Sequence, residues 1–341
     1  MTSAEISPPS FSPSPHILSI QSHVVQGYVG NKSATLPLQL LGWDVDALNT
    51  VQFSNHLAYG HHGGDIMSVD HLRSCIDALD RNGLLTHAAL LTGFTPGAQG
   101  VKALQEFISK LRVNNPQVVY LVDPVMGDNG KLYVDSEVPV HYKALLRTAT
   151  IATPNDFEAE LLTGISPSNP GRLIECLHTF HAQYNLAHIV ITSVALPATM
   201  VSHFCSTECP PPDSDGNVLV CAGSSRSDFE SPPVTWAIVF PRVAQGFTGV
   251  GDLFASVLLG RFLALSGPDR LARAAELALA TVQGIIHRTY AGAQDELARL
   301  VHSSIEPEQI RLETSRAIEL KIVQNREFIE RPEVRWKACV I

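Results

Sequence analysis

The chain has 341 residues, room for one large α/β domain or two smaller ones. Hydrophobic residues make up 45% and charged residues 17%, which allows a large core and excludes global disorder. A formal net charge of −9 argues against a nucleic-acid or acidic-membrane surface, yet leaves small anions accessible through helix ends and metals.

The opening MTSAEISPPSFSPSP (1–15) has no basic start and no apolar stretch. It reads as a disordered Ser/Pro-rich tail rather than a secretory signal, and residues 16–341 read as one domain without a clean linker or internal repeat. Candidate strands follow at HILSIQS (16–22), DVDALNT (44–50), HAALLTG (87–93), VVYLVD (118–123), TIAT (150–153) and HIVITS (188–193). Helical segments at 31–41, 69–82, 96–113, 155–163 and 171–185 lie between them. This alternation predicts a mostly parallel sheet covered by helices on both faces. Three further strand-like stretches, ATMVSHFC (198–205), NVLVCAG (217–223) and TWAIVF (235–240), are joined by Pro/Ser/Asp-rich loops and predict antiparallel strands at the sheet edge. Helices return at 252–265, 269–291 and 307–316, and AIELKIV (317–323) reads as a last strand. Six cysteines without a C-x-x-C pair suit a reducing compartment, which places the protein in the cytoplasm or also the nucleus. No run of 18 apolar residues is present.

Ligands of such sheets bind beyond the carboxyl ends of the strands. Ser22, Gly93 with Phe94, Asp123, Thr153, and Thr192 with Ser193 stand at five of those ends. The stretch GFTGVGDLFAS (246–256) adds Gly249, Gly251 and Asp252 where a helix begins. Bare amides and the partial positive charge of a helix start suit a phosphate, and an adjacent aspartate suits a base or a magnesium ligand. An ordinary N-terminal aspartate after a flexible turn has the same local pattern. DPVMGD (123–128) sets Asp123 and Asp128 around a turn. In NDFEAE (155–160), Glu158 lies nearer the strand end than Glu160, and a solvated first-turn glutamate is the bland reading of it. His61 and His62 are adjacent and His23, His56 and His71 lie in different elements, so no metal set forms from histidines; GHHGGD (60–65) reads as a mobile flap.

With these residues in view, the chain resembles the pyridoxal kinase family of the ribokinase-like superfamily. The strings are ILSIQSHVVQGYVGNKSATLPLQLLG (17–42), VQFSNH (51–56), VDPVMGD (122–128), TPNDFEAELLTG (153–164), VITS (190–193) and GVGDLFA (249–255), in the family's order. The resemblance runs from about residue 16 to the C-terminus and is weakest across 204–232. It implies a three-layer αβα fold and transfer of the ATP γ-phosphoryl to the 5′-hydroxymethyl of pyridoxal, pyridoxine or pyridoxamine. It places the base on Asp252 and an amide anion hole on Gly249, Val250 and Gly251. The ring-nitrogen contact falls on Ser22, the substrate pocket on Val29, Val51, Phe53, His56 and Thr248, and the flap on Tyr59. Nucleotide-phosphate and magnesium residues fall on Asp123, Asp128, Asn155 and Glu158. A monovalent cation, K+ or Na+, falls near Asp123, Thr153 and Thr192. Nucleotide contacts fall on Tyr133, Thr192, Ser193, Val243, Ala244, Gln245 and Val250. A homodimer is the family habit.

Three positions depart from the family pattern. Leu57 stands where animal members have a substrate-touching threonine. Phe94 replaces a tyrosine, and Val250 replaces a threonine between the two glycines. The competing readings are a hydroxymethylpyrimidine or sugar kinase of the same superfamily and a nucleotide-binding homologue without catalysis.

Overall fold

The computed structural model describes residues 15–204, 209–226, 230–301 and 306–341. The expected tail lies outside the described residues except for its last position, and Cys205 lies outside them as well. The chain begins with β1 (His16–Val24), α1 (Asn31–Leu40) and β2 (Asp44–Phe53), followed by a 3₁₀ turn at Leu57–Tyr59 and a short β3 (Gly64–Ile66). It continues through α2 (Val69–Arg81), β4 (Ala89–Thr92), α3 (Gly97–Asn114) and β5 (Val119–Val122). A two-stranded hairpin, β6 (Gly127–Asp128) and β7 (Lys131–Leu132), precedes α4 (Val138–Leu146), β8 (Ile151–Ala152), α5 (Asp156–Thr163) and α6 (Pro170–Tyr184). Next come β9 (His188–Pro197), α7 (Ala198–Val201), β10 (Asn217–Ser225) and β11 (Val234–Phe240). The remainder is α8 (Val250–Ala264), α9 (Arg270–Val301), α10 (Pro307–Ala317), α11 (Glu327–Glu330) and β12 (Cys339–Val340).

Ten strands form one sheet in the order β12-β11-β10-β9-β8-β5-β4-β1-β2-β3. The pairs joining β2, β1, β4, β5, β8 and β9 are parallel. β10, β11 and β12 extend one edge antiparallel, and β3 caps the other edge antiparallel to β2. Strand residues alternate between two cores, as the period of two dictates. Leu18, Leu90, Tyr120 and Val122 face one core with α2 to α6; Ile17, Leu91, Leu121 and Val190 face the other with α1, α8 and α9. Each fully buried Leu, Ile or Phe contributes about 1.5–3 kcal/mol of transfer free energy, so these runs fix the layering.

Two expected strands take other forms. Residues 198–204 form a helical turn and a 3₁₀ turn, Ser202–Phe204, in which only Val201 and Phe204 are buried. AIELKIV is not a strand either. Ile318 caps α10, Val323–Asn325 is a 3₁₀ turn, and the edge position beside β11 belongs to β12. The alternation misleads because Leu320 and Ile322 do point into a core, while Glu319, next to Leu320, is also buried, among polar partners.

Candidate active site

The α8 start sits at the carboxyl edge of the parallel strands. Its N-cap Gly249 has φ 81°, a left-handed conformation that favours glycine, and a Cβ there would overlap the Tyr28 carbonyl oxygen. The Gly249 carbonyl accepts from Leu253 N–H at 3.1 Å and from the Ser33 hydroxyl of α1 at 3.1 Å. Gly251 is exposed, and a Cβ on it would meet nothing closer than Asp123 Oδ2, 3.8 Å away. The first-turn amides of a helix lack intrahelical acceptors, so this end is open to an anion and near a carboxylate.

Asp252 is partly buried behind those glycines. Burial pushes its carboxyl up to about 6, while a hydrogen bond from the Gly30 amide pulls the other way. Gly30 has φ 52° and leaves no room for a Cβ, because the Ser22 carbonyl and hydroxyl press against it. Gly30 therefore links the end of β1 to the α8 aspartate, a role for which the sequence reading offers no residue. The twin glycines of GYVG were the available signal. Beneath it, Asn31 is 1% exposed and donates from Nδ2 to the Leu48 carbonyl at 3.0 Å and to Asn49 Oδ1 at 2.9 Å. Asn31 Oδ1 accepts from the Ser19 hydroxyl at 2.7 Å.

Asp123 follows β5 and is 5% exposed. Thr153, just past β8, donates to its Oδ1 at 3.1 Å. Burial, then the charges of Glu158 and Asp252, raise Asp123 well above the usual carboxylate range. Glu158 is buried, which removes the solvated reading. Its Oε1 accepts from Met126 N–H at 2.8 Å and Gly127 N–H at 3.4 Å, and its Oε2 from Asn155 N–H at 3.0 Å. Asn155 Oδ1 in turn accepts from the Glu158 N–H at 2.8 Å, which completes a capping box on α5. Burial pushes Glu158 up to about 8 despite those amides. Asp128 is exposed on the β6–β7 hairpin, where both its oxygens accept from Asn129. Tyr133 is 57% exposed beyond that hairpin, its hydroxyl raised to about 12 by partial burial and by Asp128 and Glu158.

Thr192 and Ser193 lie half-buried on β9 at a bulge, where the pairing to β10 slips between Val220 and Ala222. The Thr192 amide donates to the Pro154 carbonyl at 3.0 Å, which brings that bulge beside Thr153. Bulges of this kind re-aim side chains next to active sites. Val243 packs on the α8 core and Ala244 is exposed.

The residues expected to contact the substrate lie on β1 and β2, in the segments after β1, β2 and β4, and just before α8. Val51 is buried opposite Ile66 on β3, and the Phe53 ring lies 4.7 Å from that of His62, tilted by 53°. Val29 and Phe94 are half-buried, and the Phe94 carbonyl accepts from the Thr50 hydroxyl at 2.8 Å. Leu57 is 54% exposed at the start of the 3₁₀ turn. A cavity of about 300 Å³ is lined by His56, Thr248, Gln245, Arg311, Ser315 and Glu319. Gln245, expected on the nucleotide side, thus shares a cavity with two residues expected on the substrate side. The expected flap is tied down at both ends: residues 64–66 pair with β2, and His61 Nε2 lies 3.1 Å from Glu308 Oε1 of α10. Glu319 was missed as a site residue, since a lone acid 263 positions from His56 leaves no local sequence signal.

Among the described residues, no group of three or more His, Cys, Asp or Glu side chains is spaced to hold a metal ion, and no helix is long and apolar enough to cross a membrane. Magnesium commonly needs only one or two protein carboxylates, with water and phosphate oxygens completing the octahedron. The all-oxygen set around Asp123 fits that demand, because its buried carboxylates raise one another and a divalent cation would relieve that repulsion.

A family model described as Phosphomethylpyrimidine kinase matches residues 58–208. Pyridoxal kinase of Arabidopsis thaliana is 39% identical over 94% of this chain and 93% of its own length. Pyridoxal kinase of Homo sapiens is 34% identical over 95% and 98%. The structure of pyridoxal kinase from Leishmania donovani in complex with ADP and pyridoxamine superposes with a TM-score of 0.79 at 30% identity, covering 96% of this chain and all of that one. Its ribokinase-like fold is the three-layer arrangement found here. Identity at this level over nearly the full length of both chains, joined to a buried aspartate behind a glycine-framed helix start, means that the chain belongs to the pyridoxal kinase family.

Proposed function

We propose that this enzyme transfers the γ-phosphoryl of ATP to the 5′-hydroxymethyl group of pyridoxal, pyridoxine or pyridoxamine, within a single catalytic domain that begins at about residue 16. The observation that carries the reading is Asp252, held near pKa 6 beside the Gly30 amide and directly behind the exposed Gly251. A carboxylate of that pKa is largely ionised at neutral pH and basic enough to accept the alcohol proton as the oxygen attacks phosphorus. The amides at Gly249 through Gly251 offer donors to the transferring group, and the exposed, side-chain-free Gly251 leaves its path clear.

The relatives' ADP complexes support ATP as the donor. Asp123, with Glu158 and Asp128 nearby, would hold a divalent cation, which neutralises charge on the phosphates. Glu158 does so from a fixed position, since both oxygens already accept backbone amides. Thr153 orients Asp123, and together with Thr192 they offer a place for K+ or Na+. Asn155, Tyr133, Thr192, Ser193, Val243, Ala244 and Gln245 are assigned to the nucleotide. Ser22, Val29, Val51, Phe53, His56, Leu57, Tyr59, Phe94 and Thr248 are assigned to the vitamer. A homodimer in the cytoplasm, or also the nucleus, completes the reading; the described cysteines are free thiols, in keeping with a reducing compartment.

The decisive experiment measures turnover with MgATP on pyridoxal, hydroxymethylpyrimidine and ribose side by side. Pyridoxal turnover exceeding the other two is the expected result. Preference for hydroxymethylpyrimidine would follow the family model over 58–208 instead, and no turnover on any acceptor would mark a nucleotide-binding homologue.

A further inference from the structure

Glu319 joins three segments of the substrate flank. It follows α10 and is 6% exposed. Its Oε1 accepts from Tyr28 N–H at 3.0 Å. Its Oε2 accepts from the Tyr59 hydroxyl at 2.9 Å and lies 3.1 Å from His56 Nε2. Gly27 packs so closely that a Cβ there would meet Glu319 Oε1 at 2.8 Å. The same Tyr28 turns its carbonyl to Gly249, so the carboxylate reaches both the flap and the phosphoryl loop within one residue of the chain.

The pair constrains the chemistry of His56. Burial alone would raise the Glu319 carboxyl, but the hydrogen bond to His56, the positive charge that ring can carry, and the hydrogen bonds from Tyr59 and Tyr28 outweigh it and keep the group below the usual range. An ionised carboxylate only accepts, so the hydrogen between Glu319 and His56 belongs to Nε2. In the neutral imidazole the other nitrogen is then a bare acceptor. His56 Nδ1 is buried and has no partner in the protein. The His56 ring is 7% exposed and lines the cavity shared with Thr248. A buried polar atom without a partner is costly, and a ligand that completes the bond is a usual reason for it.

We propose that Glu319 is a positioning residue for the acceptor substrate: it holds His56 as the Nε2–H tautomer, so that Nδ1 accepts a hydrogen bond from the ring hydroxyl of a B6 vitamer. This rests on the substrate reading given above. The isosteric Glu319→Gln carboxamide can keep its oxygen on Tyr28 N–H and turn its NH₂ to His56 Nε2, which inverts the tautomer and turns the acceptor into a donor.

The test has two independent readouts. Two-bond 1H–15N correlations of the His56 ring in ligand-free, labelled protein are expected to show Nε2–H in the wild type and Nδ1–H in Glu319→Gln. Steady-state kinetics then compare pyridoxine with 3-deoxypyridoxine, which lacks the ring hydroxyl. One neutral hydrogen bond corresponds to roughly two- to twelvefold in affinity. KM of the wild type is therefore expected to be lower for pyridoxine by about that factor, and Glu319→Gln is expected to erase the difference, with its effect on KM larger than on kcat. Glu319→Asp keeps an acceptor and is expected to retain the wild-type tautomer. If the Gln variant does not fold, the wild-type spectrum and the wild-type KM ratio still decide. A wild-type ring carrying hydrogen on Nδ1, equal KM values for the two vitamers in the wild type, or tighter pyridoxine binding in Glu319→Gln would each overturn the proposal. Failure of the wild type to phosphorylate any vitamer would instead remove the substrate reading, while the spectrum still reports the tautomer.

Discussion

At the amino ends of the strands, His16 opens β1, Asp46 lies near the start of β2 and His87 precedes β4. Asp46 Oδ2 there accepts from His16 Nδ1 at 3.0 Å and His87 Nε2 at 2.9 Å. Burial would raise Asp46, yet its two histidine partners hold it below the usual range. At the carboxyl edge of the sheet stand Asp123 after β5, Glu158 in α5 after β8, and Asp252 in the first turn of α8, and all three are raised. One pole matches each carboxylate with donors of opposite tendency. The other gathers like charges out of water and leaves them for something that arrives later. Buried carboxylates with raised pKa values cluster at functional sites because their cost is recovered only when substrate, metal or proton is present. The presence of Asp and His at a strand end is therefore uninformative, and the balance of their partners separates a structural pole from a reactive one.

That contrast can be broken in order of expected effect. Replacing the reactive carboxylate by Asp252→Asn is expected to lower kcat by about 10²–10⁴-fold, with ATP binding retained in calorimetry; near-normal kcat would move the base elsewhere. Gly251→Val, which crowds an exposed glycine with space around it, is expected to lower kcat by roughly 10–100-fold, less than removal of the base, with the melting temperature little changed. The matching change at Gly249 cannot serve this purpose, because the Tyr28 carbonyl fills the space and the fold itself would respond. The pH profile of kcat is expected to show an acid limb near pH 6, with activity falling about tenfold per unit below it as Asp252 takes up its proton.

Stability should move in opposite directions at the two poles. Burial holds the Asp252 carboxyl at about 6 in the folded protein, above the ordinary aspartate value, so the folded state binds the extra proton in that window and loses stability as pH rises through it. Asp252→Asn is therefore expected to raise the melting temperature at pH 7–8, by the equivalent of about 1–3 kcal/mol, with the gain vanishing near pH 4. Asp46 has a lowered folded pKa, so its contribution is present above the unfolded value and is lost as pH falls through the folded one. Its side chain is 54% exposed and solvent screens the pair, so Asp46→Asn is expected to cost only about 0.2–1 kcal/mol at neutral pH and to leave kcat unchanged. Equal signs in the two melting experiments would erase the distinction between the poles.

Much of the layering was legible because β4, β5 and β8 are short, nearly continuous apolar runs, and helical segments separate the strands. The six strands read between residues 16 and 193 all fall on observed strands. The two strand misreadings differ. In AIELKIV the apolar Ile318, Leu320 and Ile322 alternate, and a turn that docks on a core produces the same signature as a strand; in ATMVSHFC the buried pair is Val201 and Phe204, three residues apart, as in a turn. In the site, Asp123, Thr153, Glu158 and Asp252 were visible because each ends a strand or opens a helix. Gly30 and Glu319 were not, since their importance lies in partners 222 and 263 positions away. A backbone amide has no side-chain identity to read, and a buried acid looks in sequence like any surface one.

The helix that carries Asp252 has a consequence for how the enzyme fails. Every residue of α8 from Leu253 to Gly260 is buried, so the helix has no solvent face along which to fray. Amide protons within that buried stretch can exchange with solvent only when the sheet, α1 and α9 separate, which amounts to opening the whole molecule. Heat inactivation and global unfolding should therefore trace one curve. A warmed sample would hold two populations, fully active molecules and unfolded ones, with no folded but idle intermediate between them.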